Sequence, residues 1–233
     1  MTQPPTNESR TDLETAVGAA VDRRVGSLQG GYIADTSSAV SALAQLRGGA
    51  GKLPHDTPEL WGLTCDIADY TRPGWSEEDE KQADTAVHIA LTLYALHQQS
   101  HREHRMHQRP SRNNGRPRNH DVGRAVRALM SGPEIDEPLR QRLVQAGKAT
   151  SVATLAFRLR GIVQLLRRDA IPLDYGLLAD HLFMWQRPGG RGRVRAAWGR
   201  GFTAHRPAPS GDPADTDSDA ETEADSESAH PTK

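Results

Sequence analysis

The chain is poor in the residues that would simplify its reading. Its 233 residues contain a single cysteine, Cys65, and only 5% aromatic side chains. One thiol forms no internal disulfide and supplies no paired-thiolate zinc framework, so a reducing, cytoplasmic setting is expected. With few aromatics, the core must be built from Leu, Val, Ile and Ala, a palette that favours helices over a β-sandwich. No run of alternating Val and Ile is long enough to make a sheet. The longest apolar stretch, Ala86 to Leu96, is interrupted by His88 and Thr92 and is too short to span a bilayer. Residues Met1 to Arg10 are polar and lack the apolar stretch of a secretory signal.

Net charge is nearly absent too, at −1, but that figure conceals a segregation. Residues 1–100 carry −7, residues 101–206 carry +13, and residues 207–233 carry −7. Of the 21 basic residues in the middle segment, 20 are arginine. A general preference for Arg over Lys would enrich arginine everywhere, but it does not explain why acids are scarce in the same interval. A basic segment of this kind is the electrostatic footprint of a polyanion partner. The planar guanidinium suits bidentate contact with phosphate and stacking on bases.

Composition divides the chain into residues 1–11, a loose terminus; 12–109, a helical bundle; 110–120, a basic loop; 121–206, a second helical bundle; and 207–233, an acidic tail. From Asp212 that tail has no Leu, Ile, Val or aromatic residue and is expected to be disordered. Its Asp215, Asp217 and Asp219 resemble the start of a calcium loop, but Ala220 and Ser226 stand where the turn glycine and bidentate glutamate belong.

Between the ends the periodicity is helical. The first helix is expected over Leu13–Leu28, the second over Ser37–Leu46, and a short one after Pro58 carries Leu60, Trp61 and Leu63. Ser76 caps a long helix with Glu77, Glu78, Asp79 and Glu80 at the positive end of its dipole. Ala83, Val87, Ala90, Leu91 and Tyr94 then mark one apolar face. Further on, Val122, Ala125, Val126 and Leu129 mark a helix, and Pro133 opens a turn towards Leu139, Leu143 and Val144. Ser151 caps a helix with Leu155, Leu159, Ile162, Val163 and Leu166 inward and Arg160, Gln164 and Arg167 almost opposite. Asp174 caps the next helix, with Leu177, Leu178, Leu182 and Trp185, and a last one holds Val194, Trp198 and Phe202. The fold class is therefore all-α, two packed helical bundles with no substantial β-sheet.

Catalytic signals are weak. Gly48-Gly49-Ala50-Gly51-Lys52-Leu53 evokes a phosphate-binding loop, but Leu46 and Leu53 occupy positions that need glycine and Ser/Thr, so a glycine turn after a helix is expected. His97, His101, His104 and His107 recur at metal-ligand spacing, yet no cysteine or further carboxylate completes a shell. They are expected on a solvated basic surface, with no metal and no cofactor. No residue is assigned a catalytic role. The arginine pairs 124/127, 140/142, 158/160, 167/168 and the 191/193/195 trio recur on successive helices, which points to a groove for a nucleic-acid backbone. Contacts of that kind neutralise phosphates and do not read sequence.

TLYALHQQ (92–99), DVGRAVRAL (121–129), LRGIVQLLRRDAIPLDYGLLADHLFMWQ (159–186) and RVRAAWGRGF (193–202), in this order and spacing, resemble the CasB small-subunit family of type I-E CRISPR Cascade complexes. The resemblance spans roughly residues 20–203. It implies a non-catalytic subunit, present in two copies, packed against crRNA-binding backbone subunits and the large subunit. There it would help hold the target and displaced DNA strands once guide pairs with target. The family's basic positions map onto Arg124, Arg127, Arg140 and Arg142, with Arg47 as an N-terminal counterpart. Arg158, Arg160 and Arg167 complete the expected nucleic-acid set. The 101–120 loop is longer and more basic than the family's, and the acidic tail lies outside its core. Two other functions compete: a standalone helical DNA- or RNA-binding regulator, and a metal-dependent hydrolase built on the histidines.

Overall fold

A computed structural model describes residues 7–109, 111–113, 116–118 and 120–204, with side chains described over 16–109 and 120–204. The described residues form eight α-helices: α1 (Asn7–Ile33), α2 (Ser37–Leu46), α3 (Glu77–Gln98), α4 (Val122–Ala128), α5 (Glu137–Gly147), α6 (Val152–Arg168), α7 (Tyr175–Gln186) and α8 (Gly190–Ala204). One small antiparallel ribbon, β1 (Ser111–Asn113) with β2 (Arg116–Arg118), is the described sheet structure. The molecule is all-α in architecture. No described helix is long and apolar enough to cross a membrane. The acidic tail and residues 1–6 lie outside the described residues.

Short polar residues set the helix starts. Ser76 and Asp79 form a reciprocal capping box at α3, each side chain accepting from the other's backbone N–H at 3.1 and 3.2 Å. Asp121, Asp136, Ser151 and Asp174 cap α4, α5, α6 and α7, accepting from the N–H three residues on at 2.9–3.1 Å. Two boundaries differ from the sequence reading. α1 already begins at Asn7, inside the segment expected to be loose, and runs on to Ile33. The stretch after Pro58 is a single 3-10 turn, Pro58–Leu60, which buries Leu60 and leaves Trp61 72% exposed.

α3 is the centre of the molecule. Every residue from Ala86 to Gln98 is buried, not one face only, because α1, α2, α6 and α7 surround it. The polar residues that broke its apolar run have partners: Thr92 donates to the His88 carbonyl at 2.8 Å, and His88 Nε2 lies 3.4 Å from the Thr57 hydroxyl. Buried polar groups with partners avoid most of the cost of leaving water.

Space does not follow chain order. α7, from the second half, packs chiefly on α1 and α3, whereas α4, α5, α6 and α8 form the other set; one contiguous apolar core runs through both. α4 lies so close to α8 that a Cβ at Gly123 would fall 1.8 Å from the Trp198 carbonyl oxygen, a contact only glycine permits.

Candidate nucleic-acid interface

Three of the eight expected arginines converge. α6 packs on α5, and between them runs a groove of about 640 Å³ lined by Arg142 on α5 and by Arg158 and Arg160 on α6. Gln141, Gln145 and Gln164 supply neutral hydrogen-bonding groups to the same wall, and among the described residues no carboxylate lines it. Neither Arg142, Arg158 nor Arg160 has an ion-pair partner among the described residues. Arg158 donates to the Gln145 carbonyl, which fixes its head across the α5 C-terminus. The stem of Arg160 lies against Gly51, whose φ of +83° turns the 47–52 segment onto α6; a Cβ there would approach Arg160 Cδ at 3.0 Å. Arg47 and Lys52 are exposed on that segment.

Beside these cations stands Phe157, 67% exposed. The ring costs free energy in water unless something covers it. Aromatic faces between exposed cations form a stacking platform for unpaired bases, with guanidinium groups on the backbone. Phe157 was absent from the sequence-derived set, although the signal was there: it falls outside the stripe of Leu155, Leu159, Ile162, Val163 and Leu166 on an otherwise regular amphipathic helix.

The remaining arginines are placed elsewhere. Arg127 is 6% exposed, and its Nη2 donates to the carbonyls of Gly132 and Pro133 at 2.9 and 3.1 Å, so it braces the turn after α4 rather than facing a ligand. Arg140 is on α5 but donates to Glu137 at 2.6 and 2.7 Å; that contact holds the Glu137 carboxyl down at about 2 and pairs the arginine's charge with a carboxylate. Arg167 donates to the Gln99 carbonyl at 3.1 Å and to Ser100 Oγ at 3.3 Å, tying α6 to the end of α3. Arg124 is half-buried, beside Asp121 and Arg200 in a separate recess of about 200 Å³ between α4 and α8.

The histidines also differ from expectation. His97 and His107 are buried, whereas His101 and His104 are not; the buried pair serves packing rather than a solvated basic surface. Among the described residues no group of three or more His, Cys, Asp or Glu is arranged to hold a metal ion.

Residues 42–202, which include both walls of the groove, match the family model of the CRISPR-associated protein Cse2. The crystal structure of CasB from Thermobifida fusca is 54% identical and superposes with a TM-score of 0.71, covering 81% of this chain and 98% of that one. A chain from a CRISPR RNA-guided surveillance complex, 18% identical, has a TM-score of 0.52 and covers 78% of this chain and 95% of that one, a likeness of fold. No curated protein matches the sequence.

Proposed function

The chain belongs to the CRISPR-associated Cse2 family, and from that premise we propose that it is the small subunit of a type I-E Cascade surveillance complex, acting by binding rather than by catalysis. Its partners are the crRNA-bearing backbone subunits, the large subunit and a second copy of itself, in the cytoplasm. The α5–α6 groove holds single-stranded DNA that becomes available when guide RNA pairs with its target. Arg142, Arg158 and Arg160 take the sugar-phosphate chain, Arg47 extends the track, and Phe157 stacks on a base.

The observation that carries this reading is the set of three arginines without ion-pair partners, on a wall that has glutamines but no carboxylate, around an exposed aromatic ring. Exchange of a DNA duplex for an RNA–DNA hybrid is close to balanced in free energy. A few backbone contacts to the open strands therefore shift the equilibrium without selecting a sequence.

The test is the double charge reversal R142E/R160E in the assembled complex. Affinity for target DNA is expected to fall with no change in target preference. The log–log salt dependence should flatten by roughly 1.4, or 0.7 for each of two lost single-strand phosphate contacts. Parental affinity together with a parental salt slope would remove the groove from the DNA path.

A further inference from the structure

A second basic groove shares no residue with the first. It lies between α1 and residues 105–109, has a volume of about 710 Å³, and is lined by Arg23, Ser27, Gln29, Arg105, Gln108 and Arg109 among others. Its floor is a set of polar contacts that fastens an irregular segment to α1. Gln29 clamps the His107 peptide from both sides, donating to its carbonyl at 3.2 Å and accepting from its N–H at 2.9 Å. The His107 ring accepts from the Tyr175 N–H through Nδ1 at 3.2 Å, so Nε2 carries the proton and donates to Asp22 at 2.9 Å. Met106 is buried beneath, with its carbonyl accepting from the Leu173 N–H at 3.0 Å. The consequence is an alternation in which Met106 and His107 point inward while Arg105, Gln108 and Arg109 are exposed.

The charges of this groove do not cancel. Asp22 is occupied by Arg109, which reaches both carboxylate oxygens at 2.7 Å. That leaves Arg23 and Arg105, both exposed and both without an ion-pair partner among the described residues. Arg23 makes one weak contact, 3.4 Å to the Asp69 carbonyl. Immediately beyond Arg109 the chain enters the β1–β2 ribbon, whose register pairs Ser111 with Arg118 and Asn113 with Arg116. From His104 to His120 the sequence contains five arginines and no acidic residue.

We propose that the groove between α1 and residues 105–109 is a second phosphate-chain site that takes single-stranded nucleic acid independently of the α5–α6 groove. Among the described residues no aliphatic side chain lines it, so an acidic peptide would find no pocket for its own side chains. Cations separated by the neutral donors Gln108 and Ser27 match a chain whose repeating feature is an anion on a polar backbone. The proposal goes beyond the function assigned to α5 and α6 and stands without it.

The experiment measures binding of a labelled single-stranded DNA oligonucleotide of mixed sequence to the full chain across a salt series. R23E/R105E is expected to weaken binding severalfold and to lower the log–log salt slope by roughly 1.4, for two single-strand phosphate contacts. The same loss should appear on top of R142E/R160E, the two effects adding in free energy as independent sites do. Unchanged helical circular dichroism certifies the fold of each variant. Affinity and slope unaffected by R23E/R105E in both backgrounds overturn the proposal. A loss in one background only overturns it as well, because the grooves would then be one site. If the loss emerges only after removal of residues 212–233, the acidic tail is the occupant and nucleic acid is not. An effect of R23E/R105E alongside none for R142E/R160E would discard the α5–α6 reading and leave this one intact.

Discussion

The interior around α3 and α7 and the surface of α5 and α6 treat basic side chains in opposite ways. Burial pushes the imidazoles of His88 and His181 down to about 4 and that of His97 to about 3, so all three are neutral in the native protein. At His181 the geometry enforces this: Nδ1 accepts from the Trp198 indole N–H at 3.1 Å, leaving no room for a second proton. On α5 and α6, Arg142 and Arg160 stay solvated and charged, with glutamines for neighbours. Arg127 stands between the two regimes, a permanent cation kept inside by two carbonyls. A basic residue is thus a binding group here only where the packing leaves it charged, unpaired by a carboxylate and open to the groove.

That contrast breaks most visibly with pH. A histidine whose native pKa is depressed is protonated in the unfolded chain below about 6.5 while the folded chain excludes the proton. Stability is therefore fully present above pH about 6.5 and declines as pH falls towards about 4, by roughly 1.4 kcal/mol per pH unit for each of His88, His97 and His181. Urea midpoints measured between pH 7 and pH 5 should show this slope, and His181→Asn should reduce it by one histidine's share. A flat profile would mean that these rings are not held neutral. Next in size is Arg127→Ala, which leaves the Gly132 and Pro133 carbonyls without their donor. It should cost about 2 kcal/mol in denaturation while leaving DNA affinity unchanged; weaker DNA binding at undiminished stability would return Arg127 to the interface. The smallest effect is expected from Phe157→Ala. Stability should move by less than about 0.5 kcal/mol, while single-strand binding weakens by about 1 kcal/mol, the lower end for loss of one stacked base. Fluorescence anisotropy with and without the ring resolves the difference.

Much of the framework could be read in advance because its signals are local. Ser76, Ser151 and Asp174 announce helix starts through one side chain and one N–H three residues away, and the stripe of α6 repeats often enough to be unambiguous. α3 was harder. His88, Thr92, His97 and Gln98 look like a solvent face in one dimension and are interior because four other helices close around them. Residues 105–109 gave no periodicity at all, since their order comes from Gln29, Asp22 and Leu173, far away in the chain. The arginine set suffered from the same blindness. Charge density along the sequence shows where cations are concentrated, but Glu137, Gly132 and Gln99 decide which of them are occupied.

What the sequence determined by itself is the helical content, most helix starts, the segregation of charge and the family. Each follows from interactions within a few residues or from composition, and needs no knowledge of what lies across the core. Only the tertiary structure decided that α7 joins α1 and α3, that His97 is a neutral core residue and that Arg142, Arg158 and Arg160 share one groove. Those outcomes depend on which distant surfaces meet: desolvation and pairing are properties of a place in the fold, and one arginine cannot be told from the next until its neighbours are known.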